Sequence, residues 1–196
     1  MNILIICILM LSSCSTLNKF SKQNENISLF SNKAVLLELP FEAQKKTNLC
    51  GLASVEMITR YYGIRLNNAQ CKTLLDEAER NQGITGAALK TVLEEAGYFV
   101  VVFPGTIDHE FTGIYRHLDS QRPLILMLDA ENGKASHYVI LTGYDPERNV
   151  IMLSDPGKGR VVMSLENFKK RWELLNNFTL LAIPGNMQEE HIENKE

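Results

Sequence analysis

Cys50 is followed by Gly51 and then by apolar residues at helical spacing, Leu52, Val55, Ile58, Tyr61 and Tyr62, as far as Gly63. That pattern predicts a helix beginning at the cysteine. The first N–H groups of a helix have no partner within it, and the helix dipole favours negative charge there. A thiol so placed ionises more readily, and the thiolate is the nucleophilic form. Gly51 lets the backbone come close to a substrate carbonyl. The same residues also suit a small cysteine buried in a core, so catalysis at Cys50 requires partners.

Three residues could supply them. His137 opens the apolar run His137-Tyr138-Val139-Ile140-Leu141, which reads as a strand. A histidine at the mouth of that strand faces a cleft where sheet meets helices. His109, His117 and His191 lie among charged residues and are expected in solvent. Asp155 follows Val150–Leu153, a second strand joined to the first through the turn residues Asp145-Pro146-Glu147-Arg148-Asn149. In a hairpin the start of one strand lies beside the end of the next, which brings Asp155 near His137. A carboxylate there would fix the imidazole tautomer and stabilise the imidazolium; Asp155-Pro156-Gly157 is also simply a turn. Gln44, six residues before Cys50, could donate its amide to a developing oxyanion beside the Cys50 N–H. Together these residues describe acyl transfer to water: a Cys50–His137 pair held by Asp155, with Gln44 and Cys50 N–H as the oxyanion hole.

The elements that must position them are mixed. Helices are expected at 50–62, from Asn67 or Asn68 to about Arg80, and at 86–96 behind a Thr85 cap, with a weaker one at 108–119. In the second helix Ala69, Leu74, Leu75 and Ala78 are expected to face inward. Strands are expected at 98–103, 123–128, 137–144, 150–153, 159–163 and 178–183, with a helix at 165–174 behind Ser164. Helices first and an antiparallel sheet after them argue an α+β fold, with the site in the cleft between the halves.

The ends differ from the middle. Residues 3–11 are almost continuously apolar but shorter than the ~20 residues of a spanning helix, and read as an export signal. Leu11-Ser12-Ser13-Cys14 resembles the bacterial lipobox, which implies lipidation at Cys14 and a membrane surface as partner. A buried first strand or helix is the competing reading. The division expected is a signal at 1–13, a flexible tether at 14–33, the catalytic domain at 34–185 and a disordered tail at 186–196. Removal of Cys7 and lipidation of Cys14 leave Cys50 and Cys71, which could pair in an oxidising compartment.

A formal charge of −3 with no basic cluster gives no basis for nucleic-acid binding. No zinc spacing such as H-E-x-x-H or paired C-x-x-C occurs, so neither metal nor other cofactor is expected. There is no P-loop signature either.

The order Gln, Cys at a helix start, His on a strand, Asp after the next strand resembles the papain-like clan. The motifs Gln44-x5-Cys50-Gly51, Ala53, Met57, Tyr61-Tyr62-Gly63, Gly83-Ile84-Thr85, His137 to Leu141, Gly143-Tyr144 and Asp155-Pro156 resemble, more closely, the bacteriocin-processing (double-glycine) peptidases and their stand-alone relatives. The likeness spans about residues 38–184. It implies a papain-like cysteine peptidase acting on a peptide or protein, and the lipobox-like segment would make that enzyme itself a lipid-anchored protein of the bacterial envelope. One departure is Leu49, where the family usually has Asp before the cysteine. An amidase or acyltransferase on the same scaffold, or a non-catalytic surface lipoprotein, are the alternatives.

Overall fold

The computed structural model describes residues 30–130 and 135–188. The signal at 1–13, Cys14 and nearly all of the tether and tail lie outside them. Within the tether, Ser31 is fastened to the domain: its N–H and hydroxyl both donate to Asp145, at 2.7 Å each.

A short strand β1 (Val35–Leu36) leads through an extended segment and a 3₁₀ turn (Thr47–Leu49) into helix α1 (Cys50–Tyr61). Helices α2 (Asn68–Asn81) and α3 (Gly86–Glu95) follow, then β2 (Tyr98–Pro104) and a one-turn helix α4 (Ile114–Asp119). The rest is β3 (Leu124–Asp129), β4 (Ser136–Asp145), β5 (Val150–Asp155), β6 (Gly159–Ser164), α5 (Leu165–Glu173) and β7 (Phe178–Pro184). The strands form one antiparallel sheet in the order β2-β7-β3-β4-β5-β6, with β1 added to the far end of β4.

Caps set the helix starts. Asn67 and Gln70 form a reciprocal capping box at α2, and the hydroxyls of Thr85 and Ser164 accept from Ala88 N–H and Asn167 N–H at α3 and α5. The capping box also decides which face of α2 is buried. Gln70, Leu74 and Ala78 point inward, whereas Ala69 and Leu75, expected inward from their apolar character, are exposed. The helix expected over 108–119 shrinks to α4, because 106–113 is a loop closed by Thr106 and Gly113 main-chain contacts.

Two cores sandwich the sheet. On one face Val55, Met57 and Ile58 of α1, with Leu89 and Leu93 of α3, pack on Tyr138, Ile140 and Leu180. On the other, Ile114 and Leu118 of α4 and Phe168 and Trp172 of α5 pack on Leu126, Val139 and Leu141. The helices are therefore not all on one side: the α1–α3 group covers one face and the two later helices cover the other. At Gly143, where β4 shifts register beside β5, an added Cβ would lie 2.4 Å from the Val35 carbonyl oxygen. Only glycine lets β1 approach β4 there.

Candidate active site

Cys50 is the first residue of α1, 8% exposed, with Leu49 as N-cap and no side chain capping the first turn. The leading N–H groups of the helix are thus left for whatever anion forms at the sulfur or beside it. Gly51 sits against the sheet: a Cβ on it would meet Ile84 Cβ and Tyr138 Cδ2 at 3.2 Å and Leu89 Cδ2 at 3.3 Å. The tight seat fixes the height of Cys50 above β4.

The hairpin β4–β5 performs the task expected of it. His137 Nε2 lies 2.7 Å from Asp155 Oδ1, across strands whose register brings Ile140 opposite Ser154. Asp155 is the last residue of β5 rather than a loop residue beyond it, and its Oδ1 also accepts from Gly157 N–H at 2.8 Å. The side chains of His137 and Asp155 are 19% and 9% exposed. With Nε2 committed to the carboxylate, Nδ1 is the ring nitrogen that serves Cys50, to which His137 is hydrogen-bonded.

Electrostatics follow from this chain of contacts. Burial alone would push the Cys50 thiol up. The His137 hydrogen bond and charge, with main-chain N–H groups of Tyr138 and Gly51, outweigh it and hold the thiol below its ordinary value. Burial alone would likewise discourage an imidazolium. Asp155 and Cys50, by hydrogen bond and charge, instead raise His137 to about 9. Burial raises Asp155, but the His137 hydrogen bond, Gly157 N–H, and the charges of His137 and Lys158 bring it below the usual carboxylate range. Each group thus favours the charged form of its neighbour: thiolate, imidazolium and carboxylate in a row.

Gln44 reaches the same neighbourhood from the segment before α1. Its N–H donates to Pro156 carbonyl oxygen at 3.0 Å, tying it to the turn after Asp155. Its side-chain Oε1 is buried without a hydrogen-bond partner among the described residues. A polar group left so carries a desolvation cost that a bound partner would relieve. The structure therefore brings Cys50, His137 and Asp155 into one relay and sets Gln44 against its Asp155 end.

Other expectations resolve differently. Cys50 and Cys71 are both free thiols, and no disulfide joins them. His109 is exposed as expected and pairs with Asp119 at 3.0 Å. His117 is not: it is 7% exposed and packed on Phe103, because α4 turns that face toward the sheet. No group of three or more His, Cys, Asp or Glu among the described residues could hold a metal ion. The Tyr138 and Gly157 N–H groups were not legible as site members, since a backbone donor carries no signature in residue type.

The sequence matches the Peptidase_C39 like family over residues 36–179. It is 25% identical over 123 residues to the lactococcin-G-processing and transport ATP-binding protein LagD of Lactococcus lactis. It is 29% identical over 146 residues to the transport/processing ATP-binding protein ComA of Streptococcus pneumoniae. These matches take in 63% and 74% of this chain but 16% and 19% of those much longer proteins. Three solved folds superpose with TM-scores of 0.59. A double-glycine-motif protease from an AMS/PCAT transporter, in complex with leader peptide, is 20% identical and aligned over 76% of this chain and 94% of its own. The Streptococcus ComA peptidase domain is 19% identical over 75% and 98%. A C39-like peptidase from Bacillus anthracis is 19% identical over 78% and 98%. The chain belongs to the Peptidase_C39 like family, with the papain-like α+β fold of its solved relatives, and the enzyme class this membership carries is the cysteine peptidase.

Proposed function

We propose that this chain hydrolyses peptide bonds through Cys50, His137 and Asp155. The observation that carries the reading is the 2.7 Å contact of His137 Nε2 with Asp155, which leaves Nδ1 to the Cys50 sulfur. The thiolate attacks the substrate carbonyl carbon, and the carbonyl electrons move onto oxygen. In this reading the Gln44 side-chain amide and the Cys50 N–H receive that oxyanion. As the oxyanion collapses, the carbon–nitrogen bond breaks and His137 Nδ1–H gives its proton to the leaving amine. The remaining acyl group is a thioester. Water, deprotonated by the now neutral imidazole, adds to it, and collapse returns the thiolate and imidazolium.

A peptide substrate is supported by the leader peptide held by the structural relative from an AMS/PCAT transporter. Incubation of the purified protein with a peptide library, followed by mass spectrometry, tests the activity. New termini that vanish with Cys50→Ala are expected; an identical product pattern from Cys50→Ala would refute it.

The setting proposed is the surface of a bacterial envelope membrane, reached through a lipid on Cys14 after removal of residues 1–13. It rests on the apolar run 3–11 and on Leu11-Ser12-Ser13-Cys14. No helix among the described residues is long and apolar enough to cross a membrane. Metabolic labelling with a clickable palmitate analogue should mark the wild type and not Cys14→Ala; label on the variant would sink the anchor.

A further inference from the structure

We infer that the single peptide unit between Pro156 and Gly157 is a positioning group that sets Asp155 and the Gln44 segment together, so that reversing it would release both. It rests on the peptidase reading above.

The two polar groups of that peptide face opposite ways, and each is engaged. Pro156 carbonyl oxygen accepts from Gln44 N–H at 3.0 Å. Gly157 N–H donates at 2.8 Å to Asp155 Oδ1, the same oxygen that meets His137 Nε2 at 2.7 Å. The two bonds are coupled, because both groups belong to one rigid plane. One orientation of the plane therefore fixes the carboxylate that orients the imidazole and the backbone of the residue assigned to the oxyanion. The Gln44 side chain lies alongside: a Cβ built on Gly157 would sit 3.7 Å from Gln44 Cδ and Oε1, and 3.4 Å from Asp155 Oδ1.

The residues of the turn make that orientation one of two. Lys158 N–H donates to Asp155 carbonyl oxygen at 3.1 Å, so residues 155–158 form a β-turn with Pro156 and Gly157 at its centre. Proline at the first central position suits type I and type II turns alike, and the central peptide is reversed between them. Type II needs a positive φ at the second central position, which glycine supplies without steric cost. Gly157 nonetheless has a negative φ, unlike Gly159 at +84°. The turn is therefore in the type I sense, in which the N–H of its third residue reaches the side chain of an Asp at its first.

Reversal would be local. Proline holds φ near −65° in both forms, so the buried Pro156 ring need not move. In the reversed form Pro156 carbonyl oxygen would face the Asp155 carboxylate, and Gly157 N–H would face Gln44 N–H. Acceptor would meet acceptor and donor would meet donor, with both bonds lost at once. The Asp155 carboxylate and Gln44 N–H together hold the plane in its present sense. Asp155 thus keeps the Gln44 segment in place as well as orienting His137.

Handedness at position 157 tests this. Alanine has room in the present turn, where its Cβ would make ordinary contacts, and resists the positive φ of the reversed one. D-Alanine adds the same atoms and favours positive φ. The full chain is compared as wild type, as Gly157→Ala and, made by peptide ligation, with D-alanine in place of Gly157. Gly157→Ala should keep kcat on a cleaved peptide and Cys50 alkylation within about twofold of wild type. The D-alanine chain should lose kcat on the order of 10²-fold, as when an oxyanion donor goes, with KM changed less than about threefold. Its Cys50 alkylation at neutral pH should slow about threefold, because Asp155 loses one of the hydrogen bonds that keep it charged beside His137. Equal rates in the two alanine chains, or faster turnover by the D-alanine chain, overturn the inference. A second measurement needs no D-residue. Asp155→Asn keeps an acceptor for Gly157 N–H and Asp155→Ala does not, so Gln44 N–H should exchange with solvent about tenfold faster in Asp155→Ala. Leu37 N–H, bonded to Thr142 carbonyl oxygen, should exchange alike in both. Equal exchange at Gln44 overturns the inference. If no form cuts any peptide while Cys50 alkylation stays His137-dependent, the peptidase reading falls, and the alkylation and exchange comparisons still decide what the peptide unit holds.

Discussion

Replacing Asp155 by asparagine separates the charge of the relay from its shape. The amide oxygen can still accept from His137 Nε2 and from Gly157 N–H, the two bonds Asp155 makes at 2.7 and 2.8 Å, so the fold should persist. What is lost is the negative charge beside the imidazolium. His137 is raised from 6.5 to about 9, a preference for the protonated ring of about 3 kcal/mol at 1.36 kcal/mol per unit. Two anions, Asp155 and the Cys50 thiolate, share that preference and also offset the burial that opposes it. Removing one of them should bring the His137 value down by about one unit, or roughly 1.4 kcal/mol. The assay is an NMR titration of the His137 ring protons in wild type and Asp155→Asn. The Cys50 thiol should rise in parallel, because the imidazolium that lowers it is less populated. A His137 titration within 0.3 units of wild type, as an order-of-magnitude margin on that one-unit shift, would refute the claim that the Asp155 charge holds the imidazolium.

Three further outcomes follow from the same geometry. Gln44→Ala should reduce peptide turnover on the order of 10²-fold, the usual loss for one oxyanion donor, while Cys50 alkylation proceeds at the wild-type rate; unchanged turnover would remove Gln44 from the site. Gly86→Ala puts a Cβ 2.8 Å from the Phe178 ring, so urea denaturation should show a loss of about 1–3 kcal/mol. His117 is lowered by burial first and then by the charges of Arg122 and Arg116, so the unfolded chain binds its proton more readily than the folded one. Its contribution to stability is complete above its ordinary value of 6.5 and is lost as pH falls through that value toward the folded one. His117→Phe should flatten that part of the stability profile, measured as Tm between pH 7 and 5.

Much of the geometry of the candidate site was legible because it is built from local rules. Thr85 and Ser164 cap where hydroxyls at helix starts should, and Asp145 to Asn149 turn the hairpin that sets Asp155 beside His137. The misses came from contacts distant in sequence. β1 has two residues and exists because Gly143 lets it approach β4, which no periodicity announces. His117 is flanked by charged residues yet buried, since its exposure depends on how a one-turn helix meets the sheet. Ala69 and Leu75 looked inward by hydropathy, but the capping box rotates Gln70 into that face. The placing of α4 and α5 on the sheet face opposite α1 likewise follows from strand order, which residue type alone does not encode.

The central claim is that His137 holds the Cys50 thiol below its ordinary value and so favours the thiolate. The rate of iodoacetamide labelling at Cys50 against pH, in wild type, Cys71→Ser and His137→Ala, tests it most directly. Cys50 lies below the ordinary thiol value of 9.0 and His137 near 9, so rapid labelling should extend well into the neutral range in wild type and Cys71→Ser. In His137→Ala it should retreat to an ordinary or higher thiol titration, since burial then acts unopposed by the imidazolium. Neutral-pH labelling that survives His137→Ala, or wild-type labelling that rises only near pH 9, would contradict the account.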